Sequence, residues 1–171
     1  MEIIKLFRKQ FENYKGLGDR TFAQISDEDI LWKYNEESNS LAIIVKHMHG
    51  NMLSRWTDFL NTDGEKDWRD RDGEFEGAYA NKKEMLRQWE AGWACLFKAL
   101  DSVTEENINT PIYIRGEKHS VEDAFMRQLG HYSSHVGQIM YIGRMIKGQG
   151  WKGLSVPKDG SKAFNKAMFS K

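Results

Sequence analysis

Hydrophobic positions recur at helical spacing in four long stretches of this chain. From about Ile3 to Phe22, the residues Ile3, Leu6, Phe7, Phe11 and Tyr14 return three and four apart, the period of a helix with one apolar face. Gly16 and Gly18 weaken the second half of that stretch. A second stretch follows the polar cluster Glu36 to Ser40 and continues to about Leu60, where Asn61-Thr62-Asp63-Gly64 stops it. Asn39 or Ser40 is placed to accept hydrogen bonds from its first-turn N–H groups. The third opens on Asn81 and Glu84 at capping-box spacing and reaches about Leu100. The fourth is capped by Ser120, with Asp123 three residues on, runs to about Lys147 and closes at Gly148 and Gly150.

The connections differ in character. Glu65 to Gly77 is dense in charge and reads as a long, ordered loop containing Trp68, Arg69, Asp70, Arg71 and Asp72. Thr104 to Lys118 reads as an irregular crossover in which Ile112, Tyr113 and Ile114 form a short extended piece. The tail from Trp151 to Lys171, with Pro157 and Gly160, reads as an arm over the bundle anchored by Trp151 and Phe164. Four helices of roughly 20 residues, each about 30 Å long, predict an all-α single domain with the proportions of a four-helix bundle. The long connections after the second and third helices permit crossovers.

Composition narrows the function. The 171 residues carry 25 Lys and Arg against 25 Asp and Glu, so there is no basic excess to hold a phosphate backbone, and nucleic acid is a poor partner. A 40% hydrophobic share, with 12% aromatic residues, supplies a core. The longest apolar run, Leu41 to Val45, falls far short of the ~20 residues of a membrane span. One cysteine, Cys95, excludes an internal disulfide framework and suits a reducing compartment. Charges scattered through MEIIKLFRKQF do not make a signal peptide, so a cytoplasmic protein is expected.

The histidines carry the chemistry. His131 and His135 stand four apart in the fourth helix, about 40° from each other on the wheel and one turn along. They flank the apolar side of Val121, Phe125, Leu129, Val136, Ile139 and Ile142, away from the solvent arc of Arg127, Ser134 and Gly137. Two imidazoles so placed can share one metal ion. The same pair is compatible with surface imidazoles, or with buried ones bonded to carbonyls. In the second helix, His47 and His49 lie about 200° apart and cannot both face one ion. His47 sits with Ile43, Ile44 and Asn51 and is the better third ligand; His49 points with Val45, Met52 and Trp56 toward a packing role. His119 lies beside a helix cap and carries little weight.

Two stretches, NSLAIIVKHMHGNMLSRW and QLGHYSSHVGQIMYIGRM, resemble the DinB/YfiT-like superfamily, and the resemblance extends over nearly the whole chain. TDGEKDWRDRD further resembles an uncharacterised bacterial subfamily. The resemblance implies a four-helix bundle of up-down-down-up connectivity, often a homodimer. It also implies a divalent metal, commonly zinc or nickel, held by His47, His131 and His135. Relatives include transferases that join a low-molecular-weight thiol such as bacillithiol or mycothiol to an electrophile, a mycothiol-dependent isomerase and proteins labelled metal-dependent hydrolases. Fold and metal site do not fix the reaction.

Two chemistries therefore stand side by side. A histidine-bound ion can hold a small thiol as its thiolate, or lower the pKa of a water to about 7 for hydrolysis. Asn51 and Gln138 are candidates to orient ligands or substrate, or simply to close the bundle edge. Arg55 and the Arg69/Arg71 pair suit a small-molecule carboxylate; the loop arginines equally suit a solvated surface paired with Asp70 and Asp72. The Trp68 loop is a candidate lid. Cys95 reads as a small buried residue, and Trp56, Trp89, Trp93, Met48, Met52 and Met140 as core and dimer contacts. A non-catalytic, metal-binding dimer used in stress response or as a binding module is the alternative from another class.

Overall fold

The computed structural model describes residues 1–77, 79–156 and 159–170; Pro157, expected in the C-terminal arm, lies outside them. The chain is mainly α. Helix α1 (Glu2–Phe22) runs unbroken through both of its glycines. Gly18 is a notch, since a Cβ there would lie 2.5 Å from Cζ2 of Trp89. The indole seated in it donates from Nε1 to Asp19 Oδ1 at 2.8 Å.

Helix α2 (Leu41–Trp56) is capped by Ser40, whose side chain accepts from the Ile43 amide at 3.3 Å. It ends at Trp56, short of the expected Leu60. Thr57 turns extended and Asp58 adopts φ +48°, which swings Phe59 back into the core. The hydrophobic pattern continues past Trp56 because Phe59, in that turn, is buried too. Helix α3 (Lys82–Asp101) opens on Asn81, which accepts from the Glu84 amide at 2.9 Å. Glu84 bonds back to the Ala80 amide, one residue earlier than a capping box requires.

The all-α expectation is amended by one small hairpin, β1 (Ile112–Ile114) with β2 (Glu117–His119), paired antiparallel with Ile112 opposite His119. Arg115 and Gly116 both have positive φ, the pattern of a two-residue hairpin turn. Asp63 accepts from both of their amides, at 2.8 and 2.7 Å, which ties the hairpin to the chain beyond α2. Helix α4 (Val121–Lys147) follows, with Ser120 accepting from the Asp123 amide at 3.0 Å and Gly148 at φ +51° closing it.

Helix α2 packs against α3 and α4, and α1 packs against α4 and α3. Their shared core is aromatic: Trp56 stacks on Phe125 at 4.2 Å, and Phe11 meets Trp93, Phe125 and Tyr132 at 6.2–6.4 Å between centroids. Trp56 Nε1 donates to Tyr132 Oη at 3.1 Å, fixing α2 against α4, the two helices that carry the candidate ligands. Helix α5 (Ser161–Phe169) buries no residue. Trp151 is half-buried beside Gly143, but Phe164, expected as the second anchor of the arm, is 47% exposed. Among the described residues no helix is long and apolar enough to cross a membrane.

Candidate metal centre

His47 from α2 meets His131 and His135 from α4. The Nε2 atoms of His47 and His131 are 3.3 Å apart, and those of His135 and His131 are 3.0 Å apart. One ligand atom from each residue lies within 4.8 Å of the others. His47 is 6% exposed and the other two are half-buried. Ligand nitrogens sharing one ion through bonds of about 2.1 Å stand roughly 3.0–3.4 Å apart, so the two short separations suit a common cation.

Proton bookkeeping points the same way. His47 Nδ1 lies 2.9 Å from Glu74 Oε2, and His135 Nδ1 lies 2.8 Å from Gln138 Oε1. Burial opposes ionisation of Glu74, but hydrogen bonds from His47 and Arg69 hold its carboxyl below the usual range, so it acts as an acceptor. Acceptance by Glu74 and Gln138 puts a proton on Nδ1 of both rings and leaves Nε2 turned inward. Burial, reinforced by His135 and His47, pushes His131 down to about 3; burial also lowers His135, against the pull of Gln138. With His131 neutral, three ring nitrogens face one another across a space that a cation can fill.

Glu74 escaped the sequence reading, and nothing in its spacing from His47 marks it. A short 3-10 turn, Gly73–Phe75, carries it. Lys46 secures that turn to α2 by donating to the carbonyls of Gly73 and Glu76, both at 2.7 Å. Gly50, one turn after His47, leaves the space the Glu74 carboxylate occupies. Arg69 grips the carboxylate from the far side, Nε to Oε1 at 2.8 Å and a terminal nitrogen to Oε2 at 3.0 Å. Arg69 is thus a buried partner of Glu74; it neither pairs with Asp70 and Asp72 nor is free for a substrate. Phe75 packs over His47 at 4.9 Å between centroids.

Of the other candidates, Gln138 bonds His135, Oε1 to Nδ1. Asn51 does not bond any of the three histidines: its Oδ1 accepts from Tyr132 Oη at 3.0 Å and Gln128 Nε2 at 3.3 Å. Trp68 is 59% exposed and stands outside the cleft, and so is not a lid in this arrangement. Cys95 is half-buried, its thiol pushed up by burial, which suits an inert side chain. His49 is half-buried against Gly92 of α3, and His119 bonds Asp123 at 2.6 Å.

A cleft of about 290 Å³ opens beside His47 and His131, walled by Asn51, Arg55, Arg71 and Arg127 among others. Larger hollows of about 490–600 Å³ occur elsewhere, but no histidine lines them, so the chemistry selects the smaller one. Arg55 is 4% exposed, and burial lowers its guanidinium below the ordinary value.

Among curated proteins and solved structures, none matches this chain. One family model, described as a protein of unknown function (DUF1572), matches residues 1–160, a span that holds the three histidines, Glu74, Gln138 and Arg55. The chain belongs to the DUF1572 family.

Proposed function

We propose that this chain is a metal-dependent enzyme of the DinB/YfiT-like superfamily, a four-helix bundle of up-down-down-up connectivity that joins a low-molecular-weight thiol to a small electrophile. The observation that carries the reading is the donor set: Nε2 atoms of His47, His131 and His135 that converge, with Glu74 and Gln138 behind two of the rings. His47, His131 and His135 would hold a divalent ion, zinc or nickel. When bound, the ion supplies Lewis acidity that keeps a thiol ionised at neutral pH.

The chain's own residues do the remaining work. Glu74 and Gln138 fix two imidazoles with Nδ1 protonated and Nε2 turned inward. Phe75 covers one face of His47. Among the described residues lining the cleft, none is Asp or Glu, and Glu74 is committed to His47 and Arg69. Hydrolysis asks for a positioned general base; transfer of an already ionised thiol does not, which places transfer ahead. In that reaction the thiol proton leaves to solvent and the sulfur pair forms the S–C bond. The leaving group departs with the electrons of the bond it held. A homodimeric, cytoplasmic protein belongs to the same reading, the first from the resemblance and the second from the lone cysteine.

Elemental analysis of untagged protein identifies the ion. Zinc- or nickel-loaded protein is expected to speed conjugation of small thiols with monochlorobimane over the thiol alone, and His47→Ala to lose that acceleration. No acceleration across several thiols, or turnover of an ester or amide panel instead, overturns the transfer reading.

A further inference from the structure

The cleft beside His47 and His131 holds more positive charge than its surroundings neutralise. Five arginines line it: Arg55, Arg69, Arg71, Arg115 and Arg127. Two are matched, Arg69 by Glu74 and Arg115 by Glu65 at 3.1 Å. Asp63, whose charge also reaches Arg55, accepts from the amides of Glu65, Arg115 and Gly116. Arg71 lies 5.8 Å over the Phe75 ring, and Arg127 is exposed.

Arg55 is the anomaly. Its Nε and one terminal nitrogen are fully buried, and neither has a hydrogen-bond partner among the described residues. Gly64 makes room for it, since a Cβ there would stand 2.5 Å from that terminal nitrogen. A buried guanidinium whose inner nitrogens lack hydrogen-bond partners opposes folding unless it is completed by something else. Beside it, Asn51 has its oxygen held by Tyr132 and Gln128, which leaves its Nδ2 donors without a protein partner among the described residues at the cleft wall.

We infer that this cleft binds an oxyanion, a carboxylate or phosphate carried by the thiol or by its electrophile. Arg55 is the buried counter-charge, Asn51 Nδ2 a neutral donor, and Arg71 and Arg127 stand at the mouth. Guanidinium groups match the planar geometry of such anions, and about 290 Å³ restricts the ligand to a small molecule. The inference deepens the proposed function and rests on it for the anion being part of a substrate; the anion site itself requires no metal.

The test is calorimetric titration of the full metal-free chain, with chelator dialysed away, in Tris chloride. The probes are succinate, inorganic phosphate and the neutral analogue succinamide. Succinate or phosphate is expected to bind, the stronger naming the class, and succinamide to give no comparable signal. Arg55→Met is expected to weaken binding about tenfold or more, the worth of a charged hydrogen bond. Arg127→Gln, at an exposed position, is expected to weaken it roughly two- to fivefold and to flatten its salt dependence. Binding of neither oxyanion, equal binding of succinamide, or wild-type affinity in Arg55→Met overturns the inference. Separate titrations of the wild-type chain with zinc and with succinate distinguish the two proposals. A chain that takes succinate but not zinc rejects the metal reading alone; one that takes zinc but neither oxyanion rejects this inference alone.

Discussion

His47 and Glu74 are joined across 2.9 Å between Nδ1 and Oε2, and both side chains are almost fully buried. A carboxylate behind a ligand imidazole fixes its tautomer and raises its basicity. Glu74→Gln keeps the shape but removes the charge, so zinc affinity is expected to fall by about 10- to 100-fold. A competition titration against a zinc indicator measures it, with His131→Ala as the full-loss reference. An unchanged affinity would mean that His47 is not among the ligands.

Gly50 gives a test that touches no ligand and no carboxylate. A methyl group at this position would overlap the Glu74 carboxylate, while alanine favours the helix by about 0.5–1 kcal/mol over glycine. Gly50→Ala is therefore expected to keep α2 helical yet lower zinc affinity by about tenfold. Combined with Glu74→Gln, it should add little, because both changes act through one contact.

The helices and the three histidines were legible because each obeys a local rule. Period 3.6 marks the elements, Asn39 or Ser40, Asn81 and Ser120 mark their starts, with Ser40 the cap in the fold, and i, i+4 spacing puts His131 and His135 on one face. What escaped depends on contacts between distant residues. Glu74 reaches His47 across 27 positions, through a loop whose Arg69 looked like one surface charge among many. Gly18 reads in sequence only as a weak helix residue, whereas in the fold it is the notch that Trp89 occupies. The end of α2 was misplaced because Phe59 is buried in a turn, and burial alone does not distinguish turn from helix.

Acid should loosen the metal-free protein through the same cluster. His131 is held down to about 3 in the fold, chiefly by burial and then by its imidazole neighbours, against 6.5 for an unperturbed imidazole. Between those values the unfolded chain binds more protons, so stability falls as pH drops from about 6.5 toward about 3. Glu74, whose carboxyl is held below 4.5 in the fold, adds to the loss once the pH falls below that value. The urea midpoint of metal-free protein is expected to drop between about pH 7.5 and about pH 5. His131→Ala should drop less over the same interval. Equal losses in both proteins would place the acid sensitivity elsewhere.

Arg55 should carry a stability cost that reveals its purpose. Its guanidinium is buried in the fold and, among the described residues, forms neither a hydrogen bond nor an ion pair. Hydration that the unfolded chain retains is therefore lost without full replacement. Methionine fills a similar volume without charge, so Arg55→Met is expected to raise the unfolding free energy of metal-free protein by about 1–3 kcal/mol. Urea denaturation in Tris chloride measures this, and saturating succinate should narrow the gap by stabilising the wild type alone. A gain that succinate erases marks a residue kept for binding. A loss of stability in Arg55→Met would instead show that the fold itself needs the cation, and the cleft would then owe its arginine to structure.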